Sequence, residues 1–304
     1  DQTGDLRFRC AVGGDPEAVK RLTIPADTGI CGWVARNGEP QVVNDVATDR
    51  RHSREIAEQT AFEPRSVMCV PLRLVDGLGA LGFAGANVTM PHKTRSAELV
   101  PDLSHDARLL RAVNTIVVGT DGLAGHNTDA LGFERFLRED TGFDPSGRAA
   151  LLFGAGGGAR ACALALSRGG LAELSGAVRE PSRGEDLRAT LEGSGTALRV
   201  VSIDDVSEVH ADLIVNATPL GVHGERLPLP SLVPGVVGVD LLYRPSATPF
   251  QTEIREGGGS VFGGLGLLLH QAAISFELWT GQTPPLSVMS AAAVGELAEA
   301  GASD

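Results

Sequence analysis

The twenty-two residues AALLFGAGGGARACALALSRGG (149–170) restrict the fold more than any other part of the chain. Five apolar residues come first, then a glycine-rich turn, then an alanine–leucine run with helical spacing. A strand without polar alternation has both faces buried, the condition of strands in parallel sheets covered by helices. Downstream the alternation repeats. "LSGAV", "LRVVS", "ADLIVNATPLG", "VVGVDLLY" and "SVFGG" read as strands, and "SRGEDLRATLEG" reads as a helix. Two long helices close the chain, "GLLLHQAAISFELWTG" and "PLSVMSAAAVGELAEAG". The pattern predicts an α/β domain over residues 130–260, with 261–304 returning as helices across a cleft.

Within the turn, GAGGGA (154–159) fits G-x-G-x-x-G/A with Gly154, Gly156 and Ala159. The motif follows a strand and opens a helix, the context that a Rossmann-like dinucleotide site requires. Its glycines let the backbone approach a pyrophosphate, and the helix N-terminal amides receive the charge. Without a ligand the same residues would make a tight strand–helix turn. The next strand ends in "AVREPSR", where Arg179 and Arg183 flank Glu180. Arginines favour a cofactor bearing a 2′-phosphate, NADP, over NAD, while an acidic residue favours the reverse. A solvated charge cluster is the competing account of the same residues.

Four polar islands interrupt the apolar pattern: "NVTMPHK" (87–93), "AVNT" (112–115), "GHNTD" (125–129) and "NATPLG" (216–221). Each puts Asn, Thr, Asp or Lys at the end of an apolar run, and strand ends in open sheets are where ligands sit. Lys93 stands out because the chain has 26 basic residues and only Lys20 and Lys93 are lysine. Lysine can surrender its proton near neutral pH where arginine cannot. Lys93 and Asp129 form a pair capable of acid–base work. Singly, each island also fits a turn or cap, and Asn127-Thr128-Asp129 could cap the helix "ALGFERFLRED".

Residues 6–82 follow a different grammar, a short α+β unit. Strands are expected at "LRFRCAVGG" (6–14), "PQVVNDV" (40–46) and "RSVMCVPLRLV" (65–75), with a polar helix at "RRHSREIAEQT" (50–60). The formal net charge of −12 argues against nucleic acid and anionic membrane as partners. "VFGGLGLLLHQAAISF" is too short and too polar to span a bilayer. No signal peptide opens the chain, and Cys10, Cys31, Cys69 and Cys162 lack metal-ligand spacing. Buried free thiols in a reducing cytoplasm, with no metal, are the expectation.

Residues 85–300 resemble the shikimate dehydrogenase family along their length, through "ANVTMPHK", "AVNT", "GHNTD", "GAGGGARA", "NATPLGV", "DLLYRPSATPF" and "GGLGLLLHQAAISFELWTG". The resemblance implies NADP-linked interconversion of 3-dehydroshikimate and shikimate in aromatic amino-acid biosynthesis. It implies that Lys93 and Asp129 are the catalytic pair. Asn114 and Gln271 would bind substrate hydroxyls, and Asn87 and Thr89 would belong to the same pocket. Gly154, Ala155, Gly156, Gly157, Ala159, Thr218 and Gly264 would hold the cofactor, with Arg179 and Arg183 at the 2′-phosphate. A homodimer is compatible with this reading. The family usually writes Asn-Arg-Thr where this chain has Val178-Arg179-Glu180.

Upstream, "IPADTGICGWVARNGEPQVVNDVATD" (24–49) and "FEPRSVMCVPLRL" (62–74) resemble the later part of a GAF domain, a sensory module built on an antiparallel sheet. The expected organisation is a partial GAF-like segment over 1–82 and a remnant of the substrate domain over 83–129. The 130–260 cofactor domain and the 261–304 helices follow. The dehydrogenase family opens with a Ser-x-Ser pair for the substrate carboxylate, and no segment here matches it. The expectation is intact cofactor binding with impaired turnover. A GAF-linked regulatory protein and an inactive chimera of two incomplete domains are the alternatives.

Overall fold

The computed structural model describes residues 6–7, 22–25, 28–39, 41–53, 65–69, 78, 82–89, 91–245 and 247–301. The chain divides into two compact units, Asp1–Leu81 and Gly82–Asp304.

In the first unit, β1 (Leu6–Arg7) pairs antiparallel with β2 (Thr23–Ile24). Helix α1 (Gly29–Asn37) ends on Gly38 in the left-handed conformation. β3 (Gln41–Val43) pairs antiparallel with β4 (Val67–Cys69). Ile30, Val34, Val43 and Val46 form the core, with Trp33 and Val67 packed against it. Strands are thus present within the expected stretches 40–46 and 65–75, whose residues 40 and 70–75 lie outside the described residues. The stretch "GICGWVARN", part of the segment that resembles a GAF domain and given no element from sequence, is helical. Most of the expected strand at 6–14 and of the polar helix at 50–60 lies outside the described residues.

The second unit contains two sheets. Its first is four-stranded: β5 (Gly85–Asn87), β6 (Asp102–Leu103), β7 (Thr115–Gly119) and β8 (Gly122–His126), in the order β5-β7-β8-β6. Helices α2 (Lys93–Leu99) and α3 (His105–Leu110) lie between β5 and β7 in the chain. Helix α4 (Asp129–Phe136) follows β8 and runs into a π-helical turn at Leu137–Thr141.

The larger sheet comprises β9 (Ala149–Phe153), β10 (Glu173–Val178), β11 (Ala197–Ser202), β12 (Leu213–Asn216), β13 (Val237–Asp240) and β14 (Ser260–Gly263). Helices α5 (Gly157–Arg168), α6 (Gly184–Leu191) and α7 (Pro249–Glu256) are its crossovers. All six strands are parallel, in the order β11-β10-β9-β12-β13-β14. This is a doubly wound sheet whose order reverses between β9 and β12, and ligands bind where such sheets reverse. β9 shows why its residues are all apolar. Ala150 and Leu152 enter the core beneath α4 and α5, while Leu151 and Phe153 enter the opposite core beneath α7. Helices α8 (Leu265–Thr280) and α9 (Leu286–Gly301) complete the chain, and α8 packs along α4. An Arg135–Glu277 pair with contacts of 3.2 and 3.1 Å ties these two helices together.

Among the described residues, no helix is long and apolar enough to cross a membrane. Cys162 is buried as expected, and burial pushes its thiol pKa up, whereas Cys31 is only half-buried. Cys10 and the Cys69 side chain lie outside the described residues.

Candidate active site

Lys93 opens α2, and Asp129 opens α4 directly after β8. Their tips meet with Nζ 2.6 Å from Oδ2, at 24% and 14% side-chain exposure. The pair is therefore shielded but reachable. Asn127 Oδ1 accepts the Asp129 amide at 3.0 Å, so the capping reading of "GHNTD" is partly right. The carboxylate itself projects beyond the cap toward Lys93. A carboxylate in a first helical turn also benefits from the helix dipole.

Asn114, just before β7, is 2% exposed. Its Nδ2 donates to Asp129 Oδ1 at 2.8 Å and to Thr128 Oγ1 at 2.9 Å, and reaches Gln271 Oε1 at 3.4 Å. Its Oδ1 accepts the Thr128 amide at 2.9 Å. A carboxylate only accepts and a backbone N–H only donates, so these partners fix which way the amide faces. Asn87, at the end of β5, donates from Nδ2 to the Asn114 carbonyl at 3.2 Å and to Thr115 Oγ1 at 3.1 Å. Lys93, Asp129, Asn114, Gln271 and Asn87 are thus drawn into one polar cluster from β5, α2, β7, α4 and α8. Thr89 is not part of it. That residue is exposed, its carbonyl accepts the His92 amide at 2.9 Å, and it shapes the turn before Lys93.

The glycine loop leaves the end of β9 and opens α5, which packs against the start of α4. Ala130, next to Asp129, packs with Ala161 and Leu164 of α5. Gly154 has φ +107°, a conformation strained for any residue with a side chain, and a Cβ there would also lie 3.1 Å from the Ala217 carbonyl. Gly156 caps α5 without a side-chain bond, leaving the first-turn amides without a side-chain acceptor there. A Cβ at Gly156 or Gly157 would meet nothing within 4 Å. Open space against helix N-terminal amides fits a pyrophosphate. Ala155 and Ala159 are buried, and Ala159 packs beneath the loop in the core.

Thr218 follows β12 and donates from Oγ1 to Asn216 Oδ1 at 2.7 Å. Asn216 Nδ2 in turn reaches Asp240 Oδ1 at 3.0 Å, and Thr248 Oγ1 donates to Asp240 Oδ2 at 2.6 Å. Burial pushes the Asp240 carboxyl up, opposed by these bonds and by those from Leu242 and Gln251. The network fixes the loops after β12 and β13. Gly264 sits where its backbone crosses Leu241 too closely for a side chain, and its amide donates to the Leu242 carbonyl at 3.0 Å. Arg179 and Arg183 are exposed beyond β10, and Glu180 turns to Arg183 at 4.0 Å.

Sequence reasoning passed over Thr115, Thr128 and Ser275, which join Asn87, Asn114 and Gln271. Thr115 and Thr128 lay inside two quoted islands, and Ser275 follows Gln271 at helical i+4 spacing. Asp240 lay inside the expected strand "VVGVDLLY" and opened the quoted motif "DLLYRPSATPF", without a role of its own.

Residues 57–116 match the shikimate dehydrogenase substrate binding domain, and 264–294 match the shikimate 5′-dehydrogenase C-terminal domain. The first match starts well ahead of Gly85, where the sequence motifs begin. The NADP+-named shikimate dehydrogenase of Geobacter metallireducens is 36% identical over 270 residues, covering 86% of this chain and 93% of that protein. That share exceeds what Gly82–Asp304 alone contains. Crystal structures give the same family. Shikimate 5-dehydrogenase from Listeria monocytogenes, solved with shikimate and NAD, superposes with a TM-score of 0.65 at 32% identity, covering 70% of this chain and 78% of that one. A shikimate dehydrogenase solved with NADP+ gives 0.65 at 31% identity, covering 73% and 79%.

Proposed function

The chain belongs to the shikimate dehydrogenase family, and from that membership we propose that it interconverts shikimate and 3-dehydroshikimate with NADP. The observation that carries the proposal is the Lys93–Asp129 pair at 2.6 Å, joined through Asn114 to Gln271, at the start of a helix that packs on α5, the helix the glycine loop opens. NADP, when bound, supplies or accepts the hydride. Gly154, Ala155, Gly156, Gly157 and Ala159 would hold its pyrophosphate, with Thr218 and Gly264 flanking. Arg179 and Arg183 would neutralise the 2′-phosphate. The Glu180–Arg183 contact supports this, because it turns the acidic group toward an arginine.

In the reducing direction, the Lys93 ammonium hands a proton from Nζ to the forming hydroxyl. In the oxidising direction, Nζ takes that proton back. Asp129 keeps Nζ in place and balances its charge as the proton moves. Asn114 anchors the opposite carboxylate oxygen, so Asp129 cannot rotate away from Lys93. Asn87 and Gln271 present amide groups that discriminate hydroxyls by position, and Asn114, whose Nδ2 and Oδ1 are taken up by Asp129, Thr128 and Thr115, would meet a substrate hydroxyl only by exchanging one of those partners.

For the residues ahead of 57 we infer a GAF-like origin, supported by the signature at 24–49, while 57–81 fall within the substrate-binding-domain match. Residues 83–129 act with the 261–304 helices as the substrate part, and 130–260 as the cofactor domain. A cytoplasmic homodimer goes with this reading, and sedimentation of purified protein tests the dimer.

The test of function is shikimate-dependent reduction of NADP by purified protein, run against NAD and quinate. Turnover with shikimate and NADP is expected. No shikimate-dependent reduction of either cofactor overturns the proposal. The same kinetics decide the expectation of impaired turnover, because a micromolar shikimate KM with an ordinary kcat means that the chain carries a working carboxylate site.

A further inference from the structure

Ser275 lies on α8 one turn beyond Gln271 and is 0% exposed. Its Oγ is 3.0 Å from Asn87 Nδ2, 2.8 Å from Thr115 Oγ1, 3.5 Å from Thr128 Oγ1 and 3.1 Å from the Gln271 carbonyl. One hydroxyl therefore meets β5, β7, the residue before α4, and its own helix. The helix does not require it. Ala272 and Ala273 precede it within the same turn, and an alanine at 275 would suit a helix interior at least as well. A serine that merely bonds back to the i−4 carbonyl is satisfied by that one contact. Here three further polar atoms converge on it.

Proton accounting gives the arrangement a direction. Thr115 Oγ1 gives its one proton to Asn114 Oδ1 at 2.9 Å, so the single Ser275 proton goes to the Gln271 carbonyl or to Thr115 Oγ1, both of which accept. In either case a Ser275 lone pair faces Asn87 Nδ2 at 3.0 Å. Asn87 Nδ2 also faces the Asn114 carbonyl, another obligate acceptor. The Asn87 amide is consequently held with nitrogen inward, while the residue as a whole is exposed. Its Oδ1 is left outward as an acceptor.

We propose that Ser275 is a positioning residue for substrate recognition. It keeps Asn87 Oδ1 turned outward to accept from a substrate hydroxyl. This rests on reading Asn87 and Gln271 as substrate-binding residues.

Ser275→Ala is expected to raise the shikimate KM about five- to tenfold, the effect of one lost neutral hydrogen bond, with a smaller change in kcat. NADP affinity is expected to stay at the wild-type value. In an Asn87→Ala background the same substitution is expected to add nothing to KM, because the group it positions is gone. Ser275→Thr, which keeps the hydroxyl, is expected to restore most of the affinity. Additive effects of Ser275→Ala and Asn87→Ala, or an unchanged KM in the single variant, overturn the inference. A second measurement needs neither turnover nor a folded variant. In ligand-free wild-type protein, the Asn87 side-chain amide protons are expected to exchange slowly by NMR. Exchange at the rate of a free amide overturns the positioning role. A protein that fails to oxidise shikimate yet shows a protected Asn87 amide counts against the proposed reaction and supports the geometry.

Discussion

Gly132→Ala tests how closely α4 and α8 must approach for the site to work. A Cβ at Gly132 would lie 2.9 Å from both the backbone N and the Cβ of Gln271, and 3.0 Å from its Cα. These are backbone and Cβ atoms, so no side-chain rotation relieves the clash. The helices must separate by roughly half an ångström to reach ordinary carbon contact distance. Overpacking of this kind costs about 1–3 kcal/mol. For a unit the size of Gly82–Asp304, that lowers Tm by about 2–12 °C. The displaced residue is Gln271, whose Oε1 already stands 3.4 Å from Asn114 Nδ2. A shift of about 1 Å costs about a hundredfold in rate, so half of that predicts about a tenfold fall in kcat/KM for shikimate. The glycine loop takes no part in this contact, and NADP affinity should stay within about threefold. Thermal melting, steady-state kinetics and calorimetry with NADP give the three readings. A variant with wild-type Tm and kcat/KM would show that the helices do not pack as described. Loss of NADP affinity with shikimate parameters intact would show that Gly132 acts on the cofactor side.

Lys93→Met should lower kcat by about 10²–10⁴, the usual yield of a positioned acid–base group, while leaving NADP affinity unchanged; a loss of under about tenfold would remove Lys93 from the proton-transfer role. Gly156→Ala should behave oppositely to Gly132→Ala. The added Cβ meets nothing within 4 Å, so the unliganded melting temperature should hold, yet cofactor titration should show a large loss of affinity. Equal binding in variant and wild type would mean that the pyrophosphate does not approach this loop. Arg179→Ala and Arg183→Ala should each raise the KM for NADP and leave that for NAD nearly unaltered. A matching loss with both cofactors would mean that neither arginine reads the 2′-phosphate.

Much of this protein was legible in its sequence because the relevant physics is local. The run of apolar residues in β9 reports burial on two faces, and the two cores beside Ala150–Phe153 bear that out. The glycine spacing at 154–158 reports a turn that side chains would obstruct, and Gly154 adopts a conformation strained for any residue with a Cβ. Lys93, Asn114 and Asp129 were legible as motif members, since each sits at the end of a regular element, whereas Gln271 lies inside α8 and came only from the family resemblance. Arg179 and Glu180 were legible as a charge cluster, but the direction in which Glu180 turns was not. The GAF-like resemblance gave no account of why the family match begins at residue 57.

What the sequence determined by itself was the order of strands and helices and the chemistry available at their ends. Tertiary structure alone decided which of those ends meet. Ser275 and Asn87 are 188 residues apart in the chain, and Asn114 and Gln271 are 157 apart. No periodicity or turn signal carries information over such separations. Those contacts depend on how α8 settles along α4, which is set by the bare surface at Gly132 and by the packing of two helices. A hydrogen bond reaches about 3 Å, so a small change in that packing rewires the site while leaving every local pattern in the sequence intact.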